Sequence, residues 1–272
     1  MKFFVAIYIL LELVSAAEAA RWTMHRSCCK FVPLGRYELF AGLEGPIGKD
    51  SGFADSNDWT GRSNPYKTDF IFYCAPDVSQ KDTGYGSTVP FDDARSRSLG
   101  PDSPLILFQK EMEKGTWLND KVRIAASTSR DTVSIVTEGD VSRIPNTITI
   151  NPIWLQDKIK NGELFVRDET LKKMTDKNAL SELKKGWTDG SRSTPVDTMI
   201  EDLSGLVHHE MFHLDAFGGY NDTPDDGRAY NWMNNIENKV RDNPELMAII
   251  ALIFDLKENK KLTVNKDGEL KK

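Results

Sequence analysis

The sequence predicts an α+β fold, with a small β-sheet in the first part of the chain and helices toward the C-terminus. Three observations predict it. β-branched residues are concentrated in segments such as 132–136 and 147–150, which is typical of strands. Apolar residues recur at helical spacing from Pro195 onward. Strands followed by a run of helices, rather than alternating with them, indicate the α+β class.

The first twenty residues predict a signal peptide. Met1 and Lys2 give a short positive start, residues 3–11 form an apolar run, and residues 16–20 are mostly small. The apolar run is well short of the ~20 residues that span a bilayer, which disfavours a membrane anchor. We therefore expect cleavage after Ala19 or Ala20 and a secreted, extracellular protein.

Charge and cysteine content limit the partners and the metal chemistry. The formal net charge is −6, without basic clusters, so we expect neither nucleic acid nor a membrane as partner. The three cysteines are Cys28, Cys29 and Cys74, and secretion permits a disulfide between Cys74 and one of the adjacent pair. Any metal in the second half of the chain must use His, Asp or Glu.

The first half is loop-rich before the pattern becomes regular. Residues 21–99 are interpreted as a prosegment or a small lobe, in which Phe70–Tyr73 has strand character. Residues 105–113 fit either a strand or a helix, and residues 122–126 are rich in β-formers. A polar helical stretch covers residues 168–185. We predict a catalytic domain over residues 100–258.

A long amphipathic helix is predicted between Thr194-Pro195 and Gly218-Gly219. Proline suits the first turn of a helix and glycine its end. Apolar residues mark one buried face at positions 199, 200, 203, 206, 207, 211 and 214. Helices over 229–240 and 244–256 follow. The charged tail 259–272, with a turn at Asp267-Gly268, is expected to fray.

The metal-binding motif lies on the long helix. His209 and His213 are four residues apart, so both imidazoles face one ion from the same side. Glu210 points to a neighbouring face and is predicted to act as general base on a zinc-activated water. Three of the chain's four histidines fall within residues 207–214, which weighs against a surface coincidence. His208 has Phe212 four residues on and is predicted not to be a ligand.

A third ligand must come from beyond the helix. The longer signature with a third histidine fails, because Ala216 and Gly219 occupy its last two positions. Carboxylates are therefore the candidates: Asp215, Asp222, Asp225 and Asp226 nearby, and Glu237 and Glu245 on the later helices. Asp215 projects away from His213 on the helix, so we do not expect it to bind the metal directly. We expect it either to contact the ligand residues from outside the site or to lie at the end of the helix.

Residues 209–256 resemble the deuterolysin-like (aspzincin) family of fungal secreted zinc metalloendopeptidases. That family joins the His-Glu-x-x-His helix to a Gly-Thr-x-x-Asp-x-x-Tyr-Gly segment, whose Asp is the third zinc ligand. Here Thr223 and Asp226 match the Thr and Asp, Tyr230 comes one residue late, and Asp222 and Asn231 replace the glycines. The stretch 147–155 is similar to the strand that lines the family's cleft.

The resemblance implies a zincin-like fold and a set of roles. Asp226 is the first choice as third ligand and Asp222 the second, because the inserted residue shifts the register. Tyr230 is either an oxyanion-stabilising group or a packed tyrosine. A glycosylation sequon at Asn221 would place a glycan against Asp222, which favours Asp226.

The resulting hypothesis is a monomeric zinc metalloendopeptidase acting on protein or peptide substrates. The alternative is a secreted binding or effector protein on a peptidase scaffold, with weak or no hydrolysis. The glycines missing from the Asp segment motivate that alternative, while the intact Glu210 argues against it.

Overall fold

The computed structural model describes residues 22–24, 52–53, 70–76, 78–92, 97–119, 123–130, 134–137, 140–143, 146–188, 191–223, 229–238 and 241–272. The chain divides into two compact units, residues 1–157 and 158–272. The first carries most of the strands and the second most of the helices, so the structure is a mixed α+β fold, as predicted. Within the described ranges, no helix has the length and apolarity needed to cross a membrane.

The first unit contains a five-stranded sheet of β1 (Trp22–Met24), β2 (Gly52–Phe53), β3 (Phe70–Tyr73), β7 (Ala126–Ser129) and β10 (Asn146–Ile150). The strand order in the sheet is β2-β1-β3-β10-β7. All neighbours pair in parallel except β10 and β7, which are antiparallel. Every residue of β10 is buried. The strands predicted at 70–73 and 147–150 are confirmed.

The segment 122–126, which is rich in β-formers, contributes only Ala126 to a strand among its described residues. Residues 123–125 are irregular and β7 begins at Ala126, although its sequence is poorer in β-formers. Pairing with β10 decides the outcome, since Ala126 lies opposite Ile150 and Ser129 opposite Thr147. Strand propensity is weak against such a tertiary pairing.

Two smaller sheets and two helices complete the first unit. β4 (Val78–Asp82), β5 (Thr88–Asp92) and β6 (Arg97–Ser98) form one antiparallel sheet, and β8 (Ser134–Thr137) pairs with β9 (Asp140–Arg143). Residues 105–113, which fit either a strand or a helix by sequence, form a helix, α1 (Pro104–Lys114). Asn151 directly follows β10, and its Oδ1 accepts from Ile153 N at the start of α2 (Pro152–Asn161). The boundary between the two units falls within α2.

The second unit is a helical assembly. The polar stretch 168–185 forms two short helices, α3 (Asp168–Met174) and α4 (Ala179–Lys184). They are followed by α5 (Pro195–Ile200), α6 (Leu203–Phe212), α7 (Trp232–Asn238) and α8 (Pro244–Lys260). Met199, Ile249 and Leu256 lie in its buried apolar core. Residues 239 and 240, at the end of one predicted helix, lie outside the described part.

The single helix predicted from Pro195 to Gly218 is wrong, because it breaks after Ile200. Asp202 caps α6, and its side chain accepts from the backbone N of Gly205 at 2.9 Å. A Cβ on Gly205 would lie 1.9 Å from the carbonyl oxygen of Ile200, so only glycine permits this tight break. The helix also ends early, at Phe212, and a short 3-10 turn over Asp215–Phe217 leads to Gly218.

The charged tail is not frayed. Helix α8 runs to Lys260, and β11 (Thr263–Val264) pairs with β12 (Leu270–Lys271) in a hairpin. Leu262 and Leu270 are 3% and 5% exposed and belong to the core of the second unit. The turn predicted at Asp267-Gly268 is confirmed: Gly268 has φ 76° and its N–H donates to Asn265 O.

Candidate metal centre

The two motif histidines converge at the end of α6. His209 lies in the last turn of the helix and His213 is its C-cap residue. Their Nε2 atoms are 3.2 Å apart, with the rings edge to face. The i, i+4 spacing therefore brings two imidazole nitrogens to one point, as the sequence predicts.

Asp222 brings a carboxylate oxygen to the same point. Its Oδ1 lies 3.4 Å from His209 Nε2 and 3.8 Å from His213 Nε2. Ligands about 2.1 Å from a tetrahedral ion lie roughly 3.4 Å from one another, so these spacings suit one cation. Oδ1 is buried and has no hydrogen-bond partner within the described part of the chain. A carboxylate oxygen that has no hydrogen-bond partner and faces two imidazoles can bind a metal ion together with them.

Hydrogen bonds fix the segment that carries Asp222. On one side, Tyr220 N donates to Phe212 O at 2.9 Å, which ties the segment to the end of α6. On the other side, the Nδ2 of Asn243 donates to Ala229 O at 2.5 Å and lies 3.4 Å from Thr223 O. Buried amide groups with satisfied partners hold an irregular backbone in one conformation.

Each histidine has an acceptor on the far side of its ring. His209 Nδ1 lies 3.1 Å from Glu245 Oε2, and His213 Nδ1 lies 2.8 Å from Tyr220 O. Both acceptors favour the tautomer with a proton on Nδ1, which leaves the Nε2 lone pair facing the centre. The two rings are thus oriented for binding through Nε2.

Tyr230 covers one side of the group. Its ring stacks on His209 with centroids 5.7 Å apart and planes 17° apart, and its hydroxyl donates to Asp222 Oδ2 at 3.0 Å. Burial and the charge of Asp222 raise the pKa of Tyr230, so the phenol stays protonated and donates. Tyr230 is 42% exposed, so it is not a packed core residue. Its predicted oxyanion role stays a prediction.

Glu210 is buried next to the histidines, with 6% of its surface exposed. Burial disfavours the charged form of His209, but the hydrogen bond with Glu245 and the neighbouring carboxylate charges outweigh that cost. Glu210 and Asp222 supply part of that charge, so the pKa of His209 is raised. The charge of Glu210 also acts on Tyr230. Glu210 therefore lies within electrostatic reach of both groups.

The other candidates lie apart from the group. Glu237 pairs with Arg192 at 2.7 Å on the surface. Asp215 is exposed at the start of the 3-10 turn. His208 is half-buried, and burial lowers its pKa against the weaker opposite effects of Ser204 and Asp255.

Two of the sequence's aspartate candidates, Asp225 and Asp226, lie outside the described residues, so the first choice for the third ligand stays a prediction. Of the described candidates, the structure places Asp222 at the centre. Cys74 is fully buried at the end of β3, but Cys28 and Cys29 also lie outside the described part, so the disulfide stays a prediction.

Glu245 is the residue whose role sequence reasoning missed. The sequence offers it as a candidate metal ligand, but the structure places its carboxylate at Nδ1 of His209, on the opposite side of the ring from Nε2. Its position in the first turn of α8 follows from the Asn243-Pro244 helix start, which the sequence does contain. The distance of 36 residues from His209 left no local pattern that could pair them.

No protein-family model, curated protein or solved structure matches this chain. The resemblance to the deuterolysin-like family therefore stays a prediction carried by the motif residues.

Proposed function

We propose that this protein is a secreted zinc-dependent metalloendopeptidase with a zincin-like catalytic domain. The observation that carries the proposal is the convergence of His209 Nε2, His213 Nε2 and Asp222 Oδ1, beside the buried Glu210. Two imidazoles and one carboxylate are a common ligand set of catalytic zinc sites, which keep a fourth position for water. Secretion rests on the N-terminal leader sequence alone.

Each residue of the site has a separate role in the proposed hydrolysis. When bound, zinc lowers the pKa of a water ligand and polarises the scissile carbonyl. Glu210 takes the proton of the attacking water and passes it to the leaving amine. Tyr230, protonated and partly exposed, is a neutral donor at the edge of the site. His209 and His213 are held through their Nδ1 atoms.

The backbone at Asn231 adds support to the family resemblance. Asn231 stands at the second glycine of the family's Asp segment, and it has φ 72°. The left-handed conformation favours glycine and tolerates asparagine better than most residues. The glycine replacement therefore keeps the backbone conformation that a glycine would allow.

The test is zinc content and casein hydrolysis of the purified wild-type protein beside Glu210→Gln. We expect about one zinc per chain in both and hydrolysis only in the wild type, because the variant keeps the ligands and loses the base. Glu258→Gln is the matched control, since it removes the same charge from an exposed position on α8. It should keep both zinc and activity.

Two results would contradict the proposal. Wild-type protein without zinc would leave the histidine pair without a metal role. Zinc-loaded wild-type protein without hydrolysis would instead support the alternative, a secreted binding or effector protein on the same scaffold.

A further inference from the structure

Two carboxylates approach His209 from opposite sides of its ring. Asp222 Oδ1 lies 3.4 Å from Nε2, and Glu245 Oε2 lies 3.1 Å from Nδ1. A ring bound to an ion through Nε2 carries its proton on Nδ1, so only the carboxylate at Nε2 can share the ion. The geometry therefore distinguishes Asp222, which can bind the ion, from Glu245, which can only hydrogen-bond to the ligand His209.

The position of Glu245 is set by the start of α8. Pro244 begins the helix, and the side chain of Asn243 accepts from Glu245 N at 3.3 Å. Helix α8 packs on α6, which carries His209. The side chain of Glu245 is 14% exposed, so its charge acts through a medium with little water.

The same asparagine also holds the other carboxylate's segment. While Asn243 Oδ1 accepts from Glu245 N, its Nδ2 donates to Ala229 O and Asn235 Oδ1 at 2.5 and 2.7 Å. It also approaches Thr223 O, next to Asp222. One buried side chain thus couples the position of Glu245 to that of the Asp222 segment.

The two histidines differ in the charge of their outer partners. His213 Nδ1 faces the neutral carbonyl of Tyr220, whereas His209 Nδ1 faces a carboxylate. A charged acceptor makes the stronger hydrogen bond and raises the basicity of the ring more. His209 is therefore the histidine whose metal affinity depends on an ionised partner.

We propose that Glu245 is a positioning residue of the metal centre: it holds His209 as the Nδ1-protonated tautomer and strengthens its Nε2 as a zinc ligand. This inference rests on the proposed zinc site and deepens it. Glu245 itself touches neither the ion nor the substrate.

The test compares zinc affinity in wild type, Glu245→Gln, Glu245→Ala and Glu258→Gln, by competition of zinc with a chromophoric chelator. Outer-shell partners typically change metal affinity roughly 10- to 100-fold, so we expect a loss of about 10-fold for Gln and about 100-fold for Ala. Gln keeps the shape and an acceptor oxygen, whereas Ala keeps neither. Glu258→Gln should bind zinc as the wild type does.

Two further measurements separate positioning from folding. The metal-free Glu245→Gln protein should melt close to the wild type, because its packing is unchanged. In the zinc-loaded wild type, the Nδ1 proton of His209 should give a slowly exchanging NMR resonance, which Glu245→Ala should lose to exchange with water.

Equal zinc affinity in wild type and both Glu245 variants would overturn this inference and leave the zinc proposal intact. Weaker binding that only follows weaker folding in both variants would also overturn it, because Glu245 would then be structural. Wild-type protein that binds no zinc would overturn both.

Discussion

Two polar segments of the second unit are held in different ways. The aspartate loop, residues 218–231, carries Asp222, and the C-terminal hairpin covers residues 261–272. The hairpin is anchored by apolar side chains, since Leu262 and Leu270 are buried in the core. The described part of the aspartate loop is anchored by hydrogen bonds, including those from Tyr220 N to Phe212 O and from Asn243 Nδ2 to Ala229 O.

Apolar anchors and hydrogen-bonded anchors have different physical effects. Apolar burial is non-directional and mainly contributes stability. Hydrogen bonds fix direction, so they can aim Asp222 Oδ1 at the histidines while that oxygen has no hydrogen-bond partner in the described structure. We therefore expect changes in the hairpin to affect folding alone, and changes around the loop to affect the metal as well.

Removing the loop carboxylate should have the largest effect. Structural zinc sites with four ligands bind with roughly 10–16 kcal/mol, or about 2.5–4 kcal/mol per ligand, so Asp222→Ala should weaken zinc binding by a few hundredfold. Competition with a chelator measures this. Asp267→Ala, the same change in the hairpin turn, should have no effect on zinc.

The companion variant Asp226→Ala separates the two candidate ligands. Undiminished zinc binding by Asp222→Ala, together with its loss in Asp226→Ala, would reverse the assignment in favour of the residue that the family pattern indicates.

Removing an apolar anchor of the hairpin should destabilise the fold and leave the metal site unchanged. Leu270→Ala deletes a buried side chain, and we expect a loss of about 3 kcal/mol in the free energy of unfolding. Urea denaturation of the metal-free protein measures it. A changed zinc affinity in the folded variant would show that the hairpin and the loop are coupled.

Removing the polar anchor should affect both properties. Asn243→Ala takes the N-cap of α8 and leaves the carbonyl of Ala229 without this donor, which together cost about 2 kcal/mol of stability. Zinc affinity should fall too, because the loop loses its fixed direction. Asn259→Ala, an exposed asparagine on α8, is the control. Unfolding and chelator titrations on both variants would test the claim; intact zinc affinity in Asn243→Ala would refute it.

The smallest effect is expected at Tyr230. Tyr230→Phe keeps the ring stacked on His209 and removes the hydroxyl that donates to Asp222 Oδ2. A partly exposed hydrogen bond contributes about 1 kcal/mol, so zinc affinity should fall about fivefold. If hydrolysis falls much further than zinc affinity, the hydroxyl acts on the substrate, as the family resemblance implies. Equal losses would restrict Tyr230 to orienting Asp222.

The correct sequence predictions depend on short-range geometry. The strands at Phe70–Tyr73 and Asn146–Ile150 follow from local β-propensity. The meeting of His209 and His213 follows from the helical repeat, since residues four apart lie on one face of any α-helix. The helix starts at Pro195 and Pro244 follow from proline's fixed φ.

The wrong predictions depend on contacts between distant residues. The helical pattern of apolar residues continues through Gly205, so the sequence does not indicate a break. The break after Ile200 is visible only in the structure, where the carbonyl of Ile200 lies against Gly205. Leu262 and Leu270 are isolated apolar residues in a charged segment, and their burial is decided by the core that α8 helps to form.

The histidine pair, the neighbouring Glu210 and the carboxylates available to complete the site can all be read from the amino-acid sequence. The tertiary structure decided which described carboxylate faces Nε2 and which faces Nδ1 of His209. The reason is physical: helix periodicity fixes side chains within one turn, whereas Asp222 and Glu245 reach His209 through a loop and a second helix. Their positions depend on hydrogen bonds and packing across 13 and 36 residues of chain, which no local pattern encodes.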